Sequence, residues 1–224
     1  GWVLKTLFDQ LRPDLLDPQA AFLAEQLQWW SLPSVGVTDP FPVAVLGQGP
    51  PLLLLHGFDS SFLEWRRLAP LLVEHFQLFI PDLFGCGFSP RPLQVAYGPE
   101  PVLGHLDALL ENLPRDQPIK VIGASMGGSV AVELARRHPQ RIGSLLLLAP
   151  AGLTGRPMPV PPLLDRFGAW FLGRPGVRKG LCRQAFADPD ADVGAPEEQI
   201  ASLHLQTPGW ARALAAIART GGRA

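Results

Sequence analysis

Gly123-Ala124-Ser125-Met126-Gly127 frames one serine with a glycine two residues to either side. The stretch before it, through Lys120-Val-Ile122, has strand character, and Ser129 to His138 reads as a helix. A serine on a sharp turn between a strand and a helix has a strained backbone and a hydroxyl held clear of the sheet. Glycines are required around such a turn because a Cβ there would strike the strand or the helix. A free serine hydroxyl is a weak nucleophile and needs a base to take its proton. It also needs preorganised donors for the oxyanion that forms when it attacks a carbonyl. The pattern therefore points to acyl transfer through Ser125.

Other segments must position this serine. Pro51-Leu-Leu-Leu-Leu55 is an unbroken apolar run, as expected of a strand covered on both faces, and it ends in His56-Gly57-Phe58. Ser61 with Glu64 three residues later reads as a capping box. It would open a helix carrying Phe62, Trp65, Leu68, Leu71 and Leu72. Gln77 to Ile80 is a second buried strand, followed by the glycine-punctuated loop Pro81-Asp82-Leu-Phe-Gly85-Cys-Gly87-Phe-Ser89-Pro90. Val102, Leu106, Leu109, Leu110 and Leu113 mark a helix, and Leu145 to Leu148 a further strand. Pro42 to Leu46 is a short strand ahead of them all. Strands alternating with helices predict an α/β fold with a mostly parallel sheet covered on both faces. Sites in such sheets lie at the carboxyl ends of strands. His56-Gly57-Phe58, Asp82 and Ser125 fall at three such ends.

Residues 1–40 read as amphipathic helices. Leu4, Leu7, Phe8 and Leu11 form one stripe. Asp17-Pro18 is an N-cap with proline at the first helical position. Ala20, Leu23, Leu27 and Trp30 continue at helical spacing. These helices are expected to pack on the core at 41–152. The alternative is a membrane-interface element using Trp29-Trp30, although the polar face lacks the Lys and Arg such elements carry. From 153 to 224 the strands stop, and apolar helical pieces predict a cap. Phe167, Trp170, Phe171, Phe186 and Trp210 are candidates to line a substrate pocket there, each weighed against a plain role in the cap's own core.

Composition narrows the partners. The 224 residues carry a net charge of −1 with no basic stripe, which argues against nucleic acid. With 47% hydrophobic residues a large core can be buried. Cys86 and Cys182 have no metal-ligand or disulfide-framework spacing, so no metal or cofactor is expected and both are read as reduced thiols. No apolar run approaches the ~20 residues that span a bilayer.

His56-Gly57-Phe58, Pro81 to Ser89, Gly123 to Gly127 and Leu147-Leu-Ala-Pro-Ala-Gly152 occur in the order and at the spacing of the α/β-hydrolase superfamily. About residues 41–220 resemble it. The resemblance implies that the oxyanion donors are the N–H groups of Met126 and Phe58. It also implies that Asp82 belongs to a structural turn and that His56 shapes the loop beside the oxyanion hole. The family order is Ser, then an acid, then His. Neither His138 nor His204, nor Asp188, Asp190 or Asp192, has the strand-and-loop context that the acid and base require. The chain is thus expected to be part of a longer one of about 280 to 300 residues, a size typical of one domain. The strand at 144–148 would then be an apolar sheet edge.

Within the superfamily, His56-Gly-Phe-Asp-Ser-Ser-Phe-Leu-Glu-Trp-Arg66 resembles the chlorophyll dephytylase group of plants and cyanobacteria. That implies hydrolysis of a hydrophobic ester, the phytyl ester of chlorophyll, through an acyl-enzyme on Ser125. A general esterase or lipase, or a C–C hydrolase, fits the same scaffold. A catalytically silent protein that binds pigment or assists assembly is the alternative of another class. A cytoplasmic location is expected, with peripheral attachment to the thylakoid membrane as the variant the resemblance implies.

Overall fold

The computed structural model describes residues 2–92, 97–148, 195–208 and 211–212. Six strands form one sheet: β1 (Leu27–Trp30), β2 (Phe41–Gly47), β3 (Pro51–Leu55), β4 (Gln77–Pro81), β5 (Ile119–Ala124) and β6 (Ile142–Leu148), in the order β1-β2-β4-β3-β5-β6. β4, β3, β5 and β6 run parallel, while β2 joins β4, and β1 joins β2, antiparallel. The helices are α1 (Val3–Leu11), α2 (Pro18–Glu25), the single turn α3 (Ala69–Leu72), α4 (Pro99–Glu111), α5 (Met126–Arg137) and α6 (Ala195–Leu203).

The side-chain period of two sorts β3 between two cores. Leu53 and Leu55 face a cluster with Leu106, Leu109, Val130 and Leu134 of α4 and α5. Leu52 and Leu54 face the opposite cluster with Phe8, Leu23, Phe62 and Trp65. All five residues of β3 are buried, as the unbroken apolar run predicts.

Three local expectations needed correction. Leu27 and Trp30 do not extend α2. The helix stops at Glu25, and Leu27–Trp30 pairs with β2 as the edge strand. Helical and strand periods cannot be told apart over four residues, so tertiary pairing decided. Trp29 packs edge-on against Phe8 and Trp30 against Phe79, so both rings are engaged with the domain. The segment after Ser61 is a 3₁₀ turn at Phe62–Trp65 followed by α3, not one helix. Its capping box is half made: the Ser61 hydroxyl accepts from Leu63 N–H at 3.2 Å, but Glu64 turns away to Gly57.

At the N-terminus the Asp17-Pro18 reading holds. The Asp17 carboxylate accepts from the N–H groups of Gln19 and Ala20 and pairs with Arg66 and Arg67. Burial pushes this carboxyl up, but those donors outweigh it and bring it down to about 2. Further along the chain, the helical reading of Glu197 to Gln206 agrees with α6 and the 3₁₀ turn His204–Gln206. Ile200 and Leu203 join the core containing Phe8 and Phe62. Phe167, Trp170, Phe171, Phe186 and Trp210 lie outside the described residues, as do Cys182, Asp188, Asp190 and Asp192.

β6 pairs only with β5 among the described strands, and Leu145, Leu146 and Leu148 are 37%, 54% and 41% exposed. Among the described residues β6 is therefore an apolar edge strand. No described helix is long and apolar enough to cross a membrane.

Candidate active site

Chain direction changes across the sheet between β3 and β5. From β3 the chain crosses to β4 on one side, and from β5 to β6 on the other. Crevices that bind ligands open at such a switch, outside the carboxyl ends of the strands. The end of β3 carries His56-Gly57-Phe58-Asp59, and the end of β5 carries Ser125.

Ser125 has φ +53° and ψ −119°. Apart from Asp59, it is the one described non-glycine residue with positive φ. Such a conformation costs of order 1–3 kcal/mol and persists only where the surroundings over-determine it. They do so here. Ser125 N–H donates to the carbonyl of Leu148 on β6 at 2.9 Å, and its own carbonyl accepts from Gly128 N–H at 2.9 Å. The two glycines of the motif have separate steric reasons. A Cβ on Gly123 would stand 2.4 Å from the Gly127 carbonyl oxygen, and one on Gly127 would stand 2.3 Å from the Leu55 oxygen. α5 begins at Met126, three residues earlier than the sequence reading.

The β3 loop lies directly against this elbow. A Cβ built on Gly57 would be 3.3 Å from Ser125 Cβ. The loop is tied down by its own side chains. His56 is fully buried; its Nδ1 donates to the Gly57 carbonyl at 2.7 Å, and its Nε2 accepts from Leu83 N–H at 3.0 Å. Acceptance at Nε2 requires the neutral ring, and burial brings its pKa down to about 4. Glu64 Oε2 accepts from Gly57 N–H at 2.9 Å. By contrast, the N–H groups of Phe58 and Met126 have no protein acceptor among the described residues.

Asp82 sits one strand over, fully buried. Its two carboxylate oxygens accept from Phe62 N–H and Phe88 N–H, each at 2.7 Å, and its carbonyl accepts from the Ser89 hydroxyl. Burial pushes its carboxyl up to about 7, against the pull of those two donors and of the Arg91 charge. Asp82 is a turn residue, and its carboxylate is fully occupied.

A family model described as alpha/beta hydrolase fold matches residues 50–199. The chain belongs to that family. Curated relatives include 2-hydroxy-6-oxo-2,4-heptadienoate hydrolase of Pseudomonas putida, 28% identical over 77% of this chain and 61% of the relative. The Arabidopsis thaliana alpha/beta hydrolase domain-containing protein VTE7 is 30% identical over 81% of this chain and 56% of its own. Lipase 1 of Psychrobacter immobilis is 38% identical over 50% and 35%. The chain thus spans about three-fifths of the length of the first of these. A solved meta-cleavage product hydrolase from Pseudomonas fluorescens superposes with a TM-score of 0.72 at 19% identity, covering 88% of this chain and 72% of that one. That match speaks for the hydrolase fold alone.

Hydrolase-fold chemistry needs an imidazole, and all five histidines are described. His56 is committed to its loop. His75 is exposed in the turn before β4, at the opposite rim. His105 is buried in α4 and stacks on Phe41. His138 pairs with Asp107 at 2.6 Å, but it lies beyond the far end of α5, about 20 Å from Ser125 at 1.5 Å rise per residue. His204 is buried, and its Nε2 lies 2.9 Å from Asp59 Oδ1. Its Nδ1 has no partner among the described residues. No sequence pattern singles out Asp59, and His204 lacks the strand-and-loop context of a base. A pair separated by 145 residues leaves no spacing signal; only the left-handed φ of +51° at Asp59 marks it, and that is a structural observation.

Proposed function

We propose that the protein is a serine-dependent hydrolase of a hydrophobic carboxylic ester. The observation that carries this is the strained elbow: Ser125 at φ +53° beside two backbone N–H groups, those of Phe58 and Met126, that have no acceptor among the described residues. In this reading Ser125 Oγ attacks the ester carbonyl carbon while a base outside the described residues takes its proton. The carbonyl oxygen becomes an oxyanion held by Phe58 N–H and Met126 N–H, and the positive end of α5 adds to that attraction. The C–O bond then breaks, and the alcohol leaves with the proton returned by the base. Water deprotonated by the same base cleaves the acyl-enzyme, releasing the acid and restoring the serine.

The phytyl ester of chlorophyll is the specific substrate we favour, on the resemblance of residues 56–66. Phe167, Trp170, Phe171 and Trp210 of the cap are its proposed lining, and peripheral attachment to a membrane suits so apolar a substrate. Hydrolysis of a carbon–carbon bond is the second reading, favoured by the relative named 2-hydroxy-6-oxo-2,4-heptadienoate hydrolase. The test uses the full-length protein. A fluorophosphonate should add one label to it and none to Ser125→Ala. Chlorophyll a should yield chlorophyllide, read by chromatography, while a 2-hydroxy-6-oxo-dienoate should persist. Consumption of the dienoate alone would select the second reading. Tight pigment binding with neither label nor turnover would select a silent binding protein.

A further inference from the structure

Asp59 follows Phe58, whose N–H is one of the two proposed oxyanion donors. Its φ of +51° is a conformation that a residue with a Cβ holds only under constraint. The constraint comes from the cap: His204 Nε2 meets Asp59 Oδ1 at 2.9 Å, both side chains being at least nine-tenths buried. His204 is itself held. Its carbonyl accepts from the Thr207 hydroxyl and N–H at 2.6 and 3.1 Å. It directly follows α6, whose Ile200 and Leu203 are buried in the core with Phe8 and Phe62. α6 is secured at its other flank as well. Gln199 accepts from Leu16 N–H at 2.9 Å and donates to the Asp14 carbonyl at 2.6 Å. A continuous set of contacts therefore runs from the N-terminal helices through α6 to the residue beside the oxyanion donor.

We infer that His204 is a positioning residue for the oxyanion loop, acting through Asp59, so that the Phe58 N–H is correctly aimed only while α6 is docked. This rests on the serine-hydrolase reading. Among the described residues, His56 within the loop, Glu64 from the following turn and His204 from the cap tie it down. The first two hold Gly57 and the third holds Asp59, so Phe58 is fixed from both sides. Removing the third takes the His204 contact away from the residue that follows Phe58. Because misplacing a reacting group by about 1 Å costs up to about 100-fold, a loss of roughly 10- to 100-fold in kcat is expected.

The experiment compares full-length wild type, His204→Leu, His204→Asn, Asp59→Ala and the double variant His204→Leu/Asp59→Ala. Each is assayed on p-nitrophenyl butyrate and timed for fluorophosphonate labelling of Ser125, and amide hydrogen exchange is followed at residues 56–60. The inference expects His204→Leu and Asp59→Ala to lower kcat and labelling by similar factors, with KM changed less than about threefold. The double variant should be no worse than either single one. His204→Asn, which keeps a donor, should recover part of the loss, and exchange at 56–60 should rise in the impaired variants. Additive losses, a change in KM alone, or unchanged exchange would overturn it. So would a His204→Leu loss beyond about 1,000-fold that Asp59→Ala does not share, which would make His204 the base itself. A wild type that takes no label overturns the hydrolase reading, and the positioning role of His204 with it. A labelled wild type whose variants label at its own rate overturns the inference alone.

Discussion

Asp82 and Ser125 stand at the carboxyl ends of β4 and β5, on either side of β3, and their surroundings are opposite. Around Asp82 the polar groups are spent on the scaffold itself. The carboxylate holds Phe62 and Phe88, Leu83 N–H goes to His56, and Arg91 donates to the Gly87 and Ser89 carbonyls. A Cβ on Gly87 would strike the Asp82 carboxyl at 2.3 Å, so even the glycine there serves that turn. Around Ser125 the backbone is just as firmly anchored, but the Phe58 and Met126 N–H groups have no acceptor among the described residues. A buried polar group normally finds a partner, because leaving it unmade costs 1–3 kcal/mol. On this rim the site is recognised by the donors that the fold leaves unspent, more than by its titratable residues.

The contrast breaks first at the serine. Ser125→Ala should cost at least 1,000-fold in kcat on p-nitrophenyl butyrate with little loss of stability, because it removes only the attacking atom. A loss of less than tenfold would mean that the elbow does not carry the chemistry. Asp82→Ala should do the reverse. It strands two buried N–H groups and should cost about 2–4 kcal/mol in urea unfolding; where enough folded protein survives, Ser125 should still take a fluorophosphonate label. A stable Asp82→Ala protein with no labelling would place Asp82 in the mechanism instead.

A smaller effect sharpens the comparison through pH. His105 is fully buried with neither ring nitrogen partnered among the described residues, and burial brings its pKa down to about 3. A lowered folded pKa means that the unfolded chain binds the proton first. The stability it confers is present above about 6.5 and is lost as pH falls toward 3. Between pH 6 and 4 this amounts to roughly 1.4 kcal/mol per pH unit. His105→Leu should flatten that part of a stability-versus-pH curve from urea titrations, leaving the His56 contribution over 6.5 to about 4. Asp82, raised to about 7, works the other way: its contribution is present at acid pH and is lost as pH rises through 7. The smallest effect belongs to the surface. Lys5 pairs with Asp9 at 2.7 Å with both side chains exposed, and Lys5→Ala should change stability by less than about 0.5 kcal/mol.

Much of this was legible in the chain. The apolar run of β3, the proline after Asp17 and the glycines at 123 and 127 each act within a few residues, so strand burial, helix start and elbow could be read directly. The fold family followed from four such runs in order. The readings that failed were those in which a local pattern had two solutions. Leu27 and Trp30 fit a helix as well as a strand, and pairing with β2 chose the strand. Glu64 fits a capping box, but its carboxylate accepts instead from Gly57 N–H on the rim.

The sequence by itself determined the serine elbow and the layers that carry it, because strand and helix periods and glycine sterics are short-range. Only the tertiary structure decided which acids are scaffolding and which reach across the molecule. Asp59 and His204 have no relation in the sequence. They meet because α6 buries Ile200 and Leu203 against the same core as Phe62, and hydrophobic burial of that kind is blind to separation along the chain.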